Sequence, residues 1–262
     1  MIDYFRRIWA CRYFWLSLVQ IDLNARYRRS VLGVGWSLLR PLAFTVLLCV
    51  VFQRLIRRGD VWEYAPFVLS GLMVWDFLVA AAKQGCQCFF QGEAYIRQHP
   101  SPVAIFPLRT ALAESFHFLV ALTVLAALAC WLHGPGRLLA LWALIPGFVL
   151  LFLLAWSLAL LTGFLNVHFQ DTQHLCDVGF QALFYASPIL YQPSDLGGGR
   201  LSWVLAHCNP LSPFFRLVRD PVLLGQPPSP ETFALAALTV AILGGLACLA
   251  CAHLQRRLVF QL

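Results

Sequence analysis

The chain has 262 residues, of which 60% are hydrophobic and only 12% charged. Soluble domains carry about 45–50% apolar and about 25% charged residues, so this composition excludes a water-facing globule and, being apolar-rich, a disordered chain. The formal net charge of +7 does not mark a nucleic-acid binder, because the eighteen arginines and the single Lys83 are scattered beside apolar runs rather than gathered in a phosphate-tracking stripe.

The solvent for such a chain is the membrane. Residues 4–28 are too charged to cross it, yet Trp9, Tyr13, Leu16 and Leu23 recur at helical spacing with Arg6, Arg7, Arg12 and Asp22 between them. That pattern predicts a helix lying in the interface plane, within a cytoplasmic arm over 1–30. Gly33 and Gly35 then permit a bend before Trp36. A spanning helix needs about 20 largely apolar residues. Six stretches qualify: 38–56, 64–82, 108–132, 138–165, 174–191 and 233–254. The fifth is the shortest and runs into Pro188.

Between the last two spans, 192–232 is rich in Pro and Gly. Within it, LSWVLAH and SPFFRLVRD are apolar enough for two short helices, the second stopped by Pro221. Two half-helices dipping in from outside fit, and such broken backbone is tolerated at membrane depth only beside protein or a water-filled cavity. The stretch therefore suggests a pore mouth. The expected fold is an all-α membrane protein forming one domain over 1–262. It has six transmembrane helices, an N-terminal amphipathic interface helix and two short external re-entrant helices between spans five and six.

An even number of spans puts both termini on one side. Twelve basic residues fall on that side and seven on the other, so the positive-inside rule places both termini in the cytoplasm. The nine cysteines lie mostly in apolar runs, and Cys86-Gln-Cys88 has no second Cys/His pair at ligand spacing, so no metal site is expected. The phosphate loop GxxxxGK[ST] is absent, as are HExxH and GxSxG. Asp76 inside span two, and Glu114 with His117 one turn apart in span three, are costly in hydrocarbon and so invite a functional reading. A proton relay is one account; a helix–helix hydrogen bond or the wall of an inner cavity is the plainer one.

Several motifs together carry a resemblance. Arg26-Tyr27-Arg28-Arg29-Ser30-Val31-Leu32-Gly33 leads into Trp36-Ser37-Leu38-Leu39-Arg40-Pro41-Leu42. Ser70-Gly71-Leu72 with Trp75, Gly92-Glu93-Ala94-Tyr95-Ile96-Arg97 and Phe106-Pro107-Leu108 follow. Phe169-Gln170-Asp171, Ser187-Pro188-Ile189-Leu190-Tyr191 and Asn209-Pro210-Leu211 complete the series. In this order the chain resembles ABC-2-type permeases, and more narrowly the branch that exports lipid-linked polysaccharides such as O-antigen, capsule and teichoic acid. Gln170 departs from the basic residue usual in that branch, and Asp76 stands where the branch is typically uncharged.

The resemblance implies a homodimer in the cell inner membrane, moving a lipid-linked polysaccharide and docked on a separate cytoplasmic ABC ATPase. ATP and Mg would belong to that partner, and this chain would hold no cofactor; beyond the ATPase and cargo its contacts would be membrane lipids, not nucleic acid. The cytoplasmic loop 92–108 and the arm 20–30 are the expected docking surfaces, with Arg26, Arg28, Arg29, Glu93, Tyr95 and Arg97. Aromatic rings offer sugars a smooth face and a hydrogen-bonding edge, so Phe44, Phe52, Trp75, Phe180, Phe184, Tyr185 and Tyr191 are candidates for the channel wall. The other reading of these rings is helix packing or an interfacial belt. Asn209, Pro210, Phe214 and Arg216 are expected to form a re-entrant gate. Two other functions stay open here: an intramembrane enzyme acting on a lipid-linked sugar through Asp76, Glu114 or His117, and an ABC-2 exporter of a small lipid or drug.

Overall fold

The structure, a computed structural model, describes residues 2–28, 30, 32–56, 61–98, 101–191 and 209–261. Every regular element among the described residues is helical. In chain order these are α1 (Ile2–Ala10), α2 (Arg12–Tyr27), α3 (Trp36–Ile56), α4 (Val61–Gln98), α5 (Ile105–His133), α6 (Leu144–His168), α7 (Thr172–Ala186), α8 (Ser212–Arg219) and α9 (Pro230–Gln261). Among the described residues, five segments are long and apolar enough to cross a membrane: Gly33–Val51, Tyr64–Gln98, Ile105–His133, Ala140–His168 and Pro230–Gln255. They coincide with five of the six expected spans.

The sixth expectation, 174–191, is met by a shorter helix. α7 has 15 residues, roughly 22 Å, which alone falls short of the about 30 Å of hydrocarbon. It stops at Ala186, where Ser187 turns extended ahead of Pro188.

Three other boundaries differ from the sequence reading. The arm is two helices, not one, because the backbone leaves helical geometry at Cys11. The Trp15 indole donates to the Ile8 carbonyl at 3.2 Å across that corner, and the bend lets Ile8 and Leu18 both reach the core. Second, the helix of span two continues to Gln98, so Glu93, Tyr95 and Arg97 stand on a helix end rather than in a loop. The loop expected over 92–108 is cut back from both sides, since α4 runs to Gln98 and α5 begins at Ile105. Phe89 and Ile96, two turns apart, keep the extension buried. Gly92 admits the Phe106 ring, which a Cβ would meet at 2.4 Å. Third, the second short α-helix ends at Arg219, ahead of Pro221 as expected, but the helical winding does not stop there. The chain passes into a wide turn over Asp220–Leu224 and ends at Gly225, whose φ of +67° suits glycine. The first short helix, expected at LSWVLAH, lies outside the described residues.

α4 is the central post, flanked by α3, α5 and α6. Its seam with α6 runs backbone to backbone: a Cβ on Gly85 would lie 2.5 Å from the Ala159 Cα. Thr162 Oγ1 donates to the Ala82 carbonyl at 2.8 Å, and Asn166 Nδ2 to the Cys86 carbonyl at 2.8 Å. Small residues and interhelical hydrogen bonds are what hold helices together where lipid removes the hydrophobic drive.

Candidate functional site

The second arm helix is bolted to a spanning helix by a polar strip. Asp22 and Arg26, four positions apart, lie on one face of α2, and Tyr27 follows at its C-terminal end. They meet Arg109, Glu114 and His117 of α5 in order. Arg109 donates through Nε and Nη2 to both carboxylate oxygens of Asp22, a bidentate geometry that also fixes direction. Arg26 Nη2 donates to Glu114 Oε1 at 2.7 Å. The Tyr27 hydroxyl lies 2.9 Å from His117 Nδ1 and 2.7 Å from Ser37 Oγ. Ser37 is itself 2.9 Å from the same His117 nitrogen. Arm, first span and third span therefore share one hydrogen-bonded triad.

Behind this strip lies a cavity of about 690 Å³, walled by the end of α2, the start of α3 and the middles of α4 and α5. Arg26, Arg40, Lys83, Asp76, Gln84, Glu114 and His117 line it with Trp36 and Phe77. Gln84 Nε2 donates to Glu114 Oε1 at 2.5 Å, so Glu114 is held from two helices. Lys83 pairs with Asp177 of α7. Asp76 feels the field of Arg40 and Glu114. The three ionisable positions singled out in the sequence thus come together, and Glu114 and His117 act as interhelical hydrogen-bonding groups on a cavity wall.

The candidate channel aromatics divide. Trp75 is 6% exposed and packs edge-on against Phe180 and Phe184 of α7, with ring centroids 5.9 and 5.6 Å away. It is a core ring that seats α7 on α4. Tyr185 is 64% exposed, stacks edge-on to Phe184 at 5.4 Å and accepts at its carbonyl from the Tyr191 hydroxyl at 3.2 Å. Phe44 is 53% exposed on α3, apart from this cluster. Phe52 belongs to α3, and its side chain is outside the described residues. Along α7, Leu175, Val178, Leu183 and Tyr185 are exposed apolar side chains.

The docking candidates form two patches rather than one. Arg26 is turned inward to Glu114, Arg28 is exposed at the end of α2, and Arg29 lies outside the described residues. Glu93 and Arg97 pair at 2.9 Å on the last turns of α4. Tyr95 beside them meets Phe14 of α2 at 5.6 Å. Phe14 and Arg28 are fourteen residues apart along the arm, roughly 21 Å.

In the re-entrant region, Asn209 Nδ2 donates to the Ala186 carbonyl at 3.1 Å and to Ser187 Oγ at 3.0 Å. Its Oδ1 accepts from the Leu211 N–H at 2.9 Å, closing the turn into α8. Phe214 is fully buried, while Pro210 and Arg216 are exposed. The arginine that ties this region down is Arg219. Its guanidinium donates to Ser70 Oγ at 3.1 Å and to the carbonyls of Pro188, Ile189 and Phe67 at 2.6, 3.1 and 3.2 Å. It also lies 3.7 Å from the Phe67 ring centroid. Gly71 makes room, since a Cβ there would fall 2.7 Å from Arg219 Nη2. Burial pushes the neighbouring Asp220 carboxyl above the usual carboxylate range, opposed by Arg216 and Arg219. Sequence reasoning chose Arg216 and passed over Arg219, and no sequence signal separates the two.

Comparison with known proteins matches residues 13–223 to the ABC-2 type transporter family. An O-antigen export system permease protein of Klebsiella pneumoniae is 28% identical over 192 residues, covering 73% of each chain. One from Myxococcus xanthus is 24% identical over 245 residues, 93% of each chain. The polysialic acid transport protein of Escherichia coli is 21% identical over 207 residues, 78% of this chain and 79% of its own.

Proposed function

The chain belongs to the ABC-2 type transporter family, and from that premise we propose that it is the membrane-spanning permease of an exporter of lipid-linked polysaccharide. The cargo moves from the cytoplasm across the inner membrane. The observation that carries this reading is the match, over 73% to 93% of the chain, to relatives whose names specify O-antigen export and polysialic acid transport. Neither a small-molecule cargo nor intramembrane catalysis is favoured by them.

The finer assignments rest on physical support. The working unit is a homodimer: α3 and α7 carry continuous apolar side chains left uncovered by the rest of the chain, and a second copy closes a conduit against them. α7 serves as the fifth of six spans. Residues 192–232 form the external re-entrant region of a single domain over 1–262, and both termini face the cytoplasm as the arginine distribution requires. The motive force comes from a separate ATPase holding ATP and Mg, for which the end of α4 and the exposed turn at Arg28 are the docking surfaces. A rigid-body rotation of the paired subunits passes ATP-driven closure to the spans.

Deleting the gene tests the reading. Surface polysaccharide should disappear while lipid-linked polymer accumulates inside, and the purified permease should bring its ATPase with it. Undiminished surface polymer would refute the assignment.

A further inference from the structure

We propose that the cavity between α2, α3, α4 and α5 is a carbohydrate-binding site that takes a neutral pyranose unit of the transported polymer and not its anionic linkage. This rests on the exporter reading of the chain and deepens it. The cavity volume, about 690 Å³, lies within the about 300–1,000 Å³ of small-ligand sites.

The charges on the wall are poorly suited to an anion. Arg26 is matched by Glu114, and Lys83 by Asp177, which lies outside the lining. Arg40 is left as the one lining cation without a salt bridge among the described residues, and Asp76 stands in its field, so a phosphate or diphosphate would find a single guanidinium beside a carboxyl group to replace its hydration.

The free valences point to hydroxyl groups. Asp76 and Arg40 line the cavity without a hydrogen bond or ion pair to any described residue, apart from the field each exerts on the other. An ionised Asp offers acceptors only, and Arg donors only. A phosphate could satisfy Arg40 but would repel Asp76; an ammonium would do the reverse. A sugar hydroxyl both donates and accepts, so adjacent hydroxyls on one ring serve both residues at once. Trp36, about half exposed on the wall, supplies an apolar face for the ring C–H groups. Gln84 and His117 are placed around the same space as further polar groups. An acyl chain would leave all of these polar groups dry and unpaired, at a cost in each case.

The test uses the assembled permease–ATPase complex in nanodiscs, its nucleotide sites filled with a non-hydrolysable ATP analogue, and two probes. One is oligosaccharide released from the source cell's own surface polysaccharide, stripped of lipid and phosphate; the other is inorganic pyrophosphate. Calorimetric titration should show saturable oligosaccharide binding and none for pyrophosphate. Asp76→Asn should weaken oligosaccharide binding about ten- to a hundredfold, the loss of hydrogen bonds to a charged group. Trp36→Leu, at an exposed position outside the core, should weaken it as well and decides the matter if Asp76→Asn fails to assemble. Saturable pyrophosphate binding, or oligosaccharide affinity unchanged in the variant that assembles, would overturn the proposal. Intact surface polymer in the deletion strain would instead overturn the exporter reading, so the two failures are distinguishable.

Discussion

Replacing Arg219 by glutamine perturbs the point where three distant segments meet. Its guanidinium reaches Ser70 and Phe67 on α4 and Pro188 and Ile189 in the turn after α7, from the last residue of α8. The side chain is 9% exposed, so water cannot replace what is lost. Each buried group left without its donor costs about 1–3 kcal/mol, and a desolvated cation–π contact adds about 2 kcal/mol. Glutamine recovers part of this, and the terms are not additive, so the expected net loss is about 3–5 kcal/mol, as for breaking a buried charge network. At about 2–4 °C per kcal/mol for a chain of this size, Tm should fall by about 6–20 °C. Lysine should rescue only partly, because a point charge cannot fan out to acceptors on two sides. The control is Arg216→Gln, on the same helix but exposed, which should stay within about 0.5 kcal/mol. Thermal unfolding of the detergent-solubilised protein reads both. Equal Tm values for Arg219→Gln and Arg216→Gln would refute the pinning role.

Three further outcomes follow from contacts elsewhere. Gly85→Ala should destabilise by at least about 1–3 kcal/mol, because the added Cβ strikes the Ala159 backbone, whereas Gly179→Ala, with nothing within 4 Å, should leave Tm unchanged or raised. Asp22→Arg and Arg109→Asp should each free the arm for limited proteolysis, and the double swap should restore part of the protection; no restoration would mean that the pair does not set the arm's position. Arg97→Glu should weaken copurification of the ATPase without moving Tm beyond about 0.5 kcal/mol, and undiminished copurification would remove the end of α4 from the docking surface.

Hydropathy located five spans, four of them to within a few residues and the second short of its C-terminal end, because each is a long apolar run, and that property is what lets a segment cross a membrane. The rest was less legible for identifiable reasons. The extension of α4 past residue 82 carries Gln84, Gln87, Gln91 and Glu93, which read as the start of a loop. Their polarity is answered by partners remote in sequence, such as Gln173 at 2.7 Å from Gln87 and Glu114 beside Gln84. The break at Cys11 had no Gly or Pro to announce it; it is held by the Trp15 side chain reaching back seven residues to the Ile8 carbonyl. Trp75 and Tyr185 have similar credentials in the sequence, yet one is core and the other exposed, since only the position of α7 decides which ring it covers. Arg219 and Arg216 stand three residues apart on one short helix, about 60° around it and about 4.5 Å along it, and the spacing alone does not say which of them the core covers.

The cavity sits where two stiff connections from the cytoplasmic end converge. One is α4 itself, unbroken for 38 residues from Val61 to Gln98, which carries Glu93, Tyr95 and Arg97 at one end, Asp76 and Gln84 midway, and Ser70 with its Arg219 contact beyond. The other starts at the Tyr95–Phe14 ring contact, follows α2 to Arg26 and Tyr27, and crosses to Glu114 and His117. A displacement of the α4 end along the first connection shifts Asp76 and Gln84; the same displacement along the second shifts Glu114 through Arg26. Because Gln84 and Arg26 hold the same oxygen of Glu114, the two walls cannot move apart without breaking one of those hydrogen bonds. A partner pressing on Glu93–Arg97 would therefore change the cavity's width and its pairing together, which is the geometry a site needs if its grip on a sugar is to be released by work done at the cytoplasmic surface.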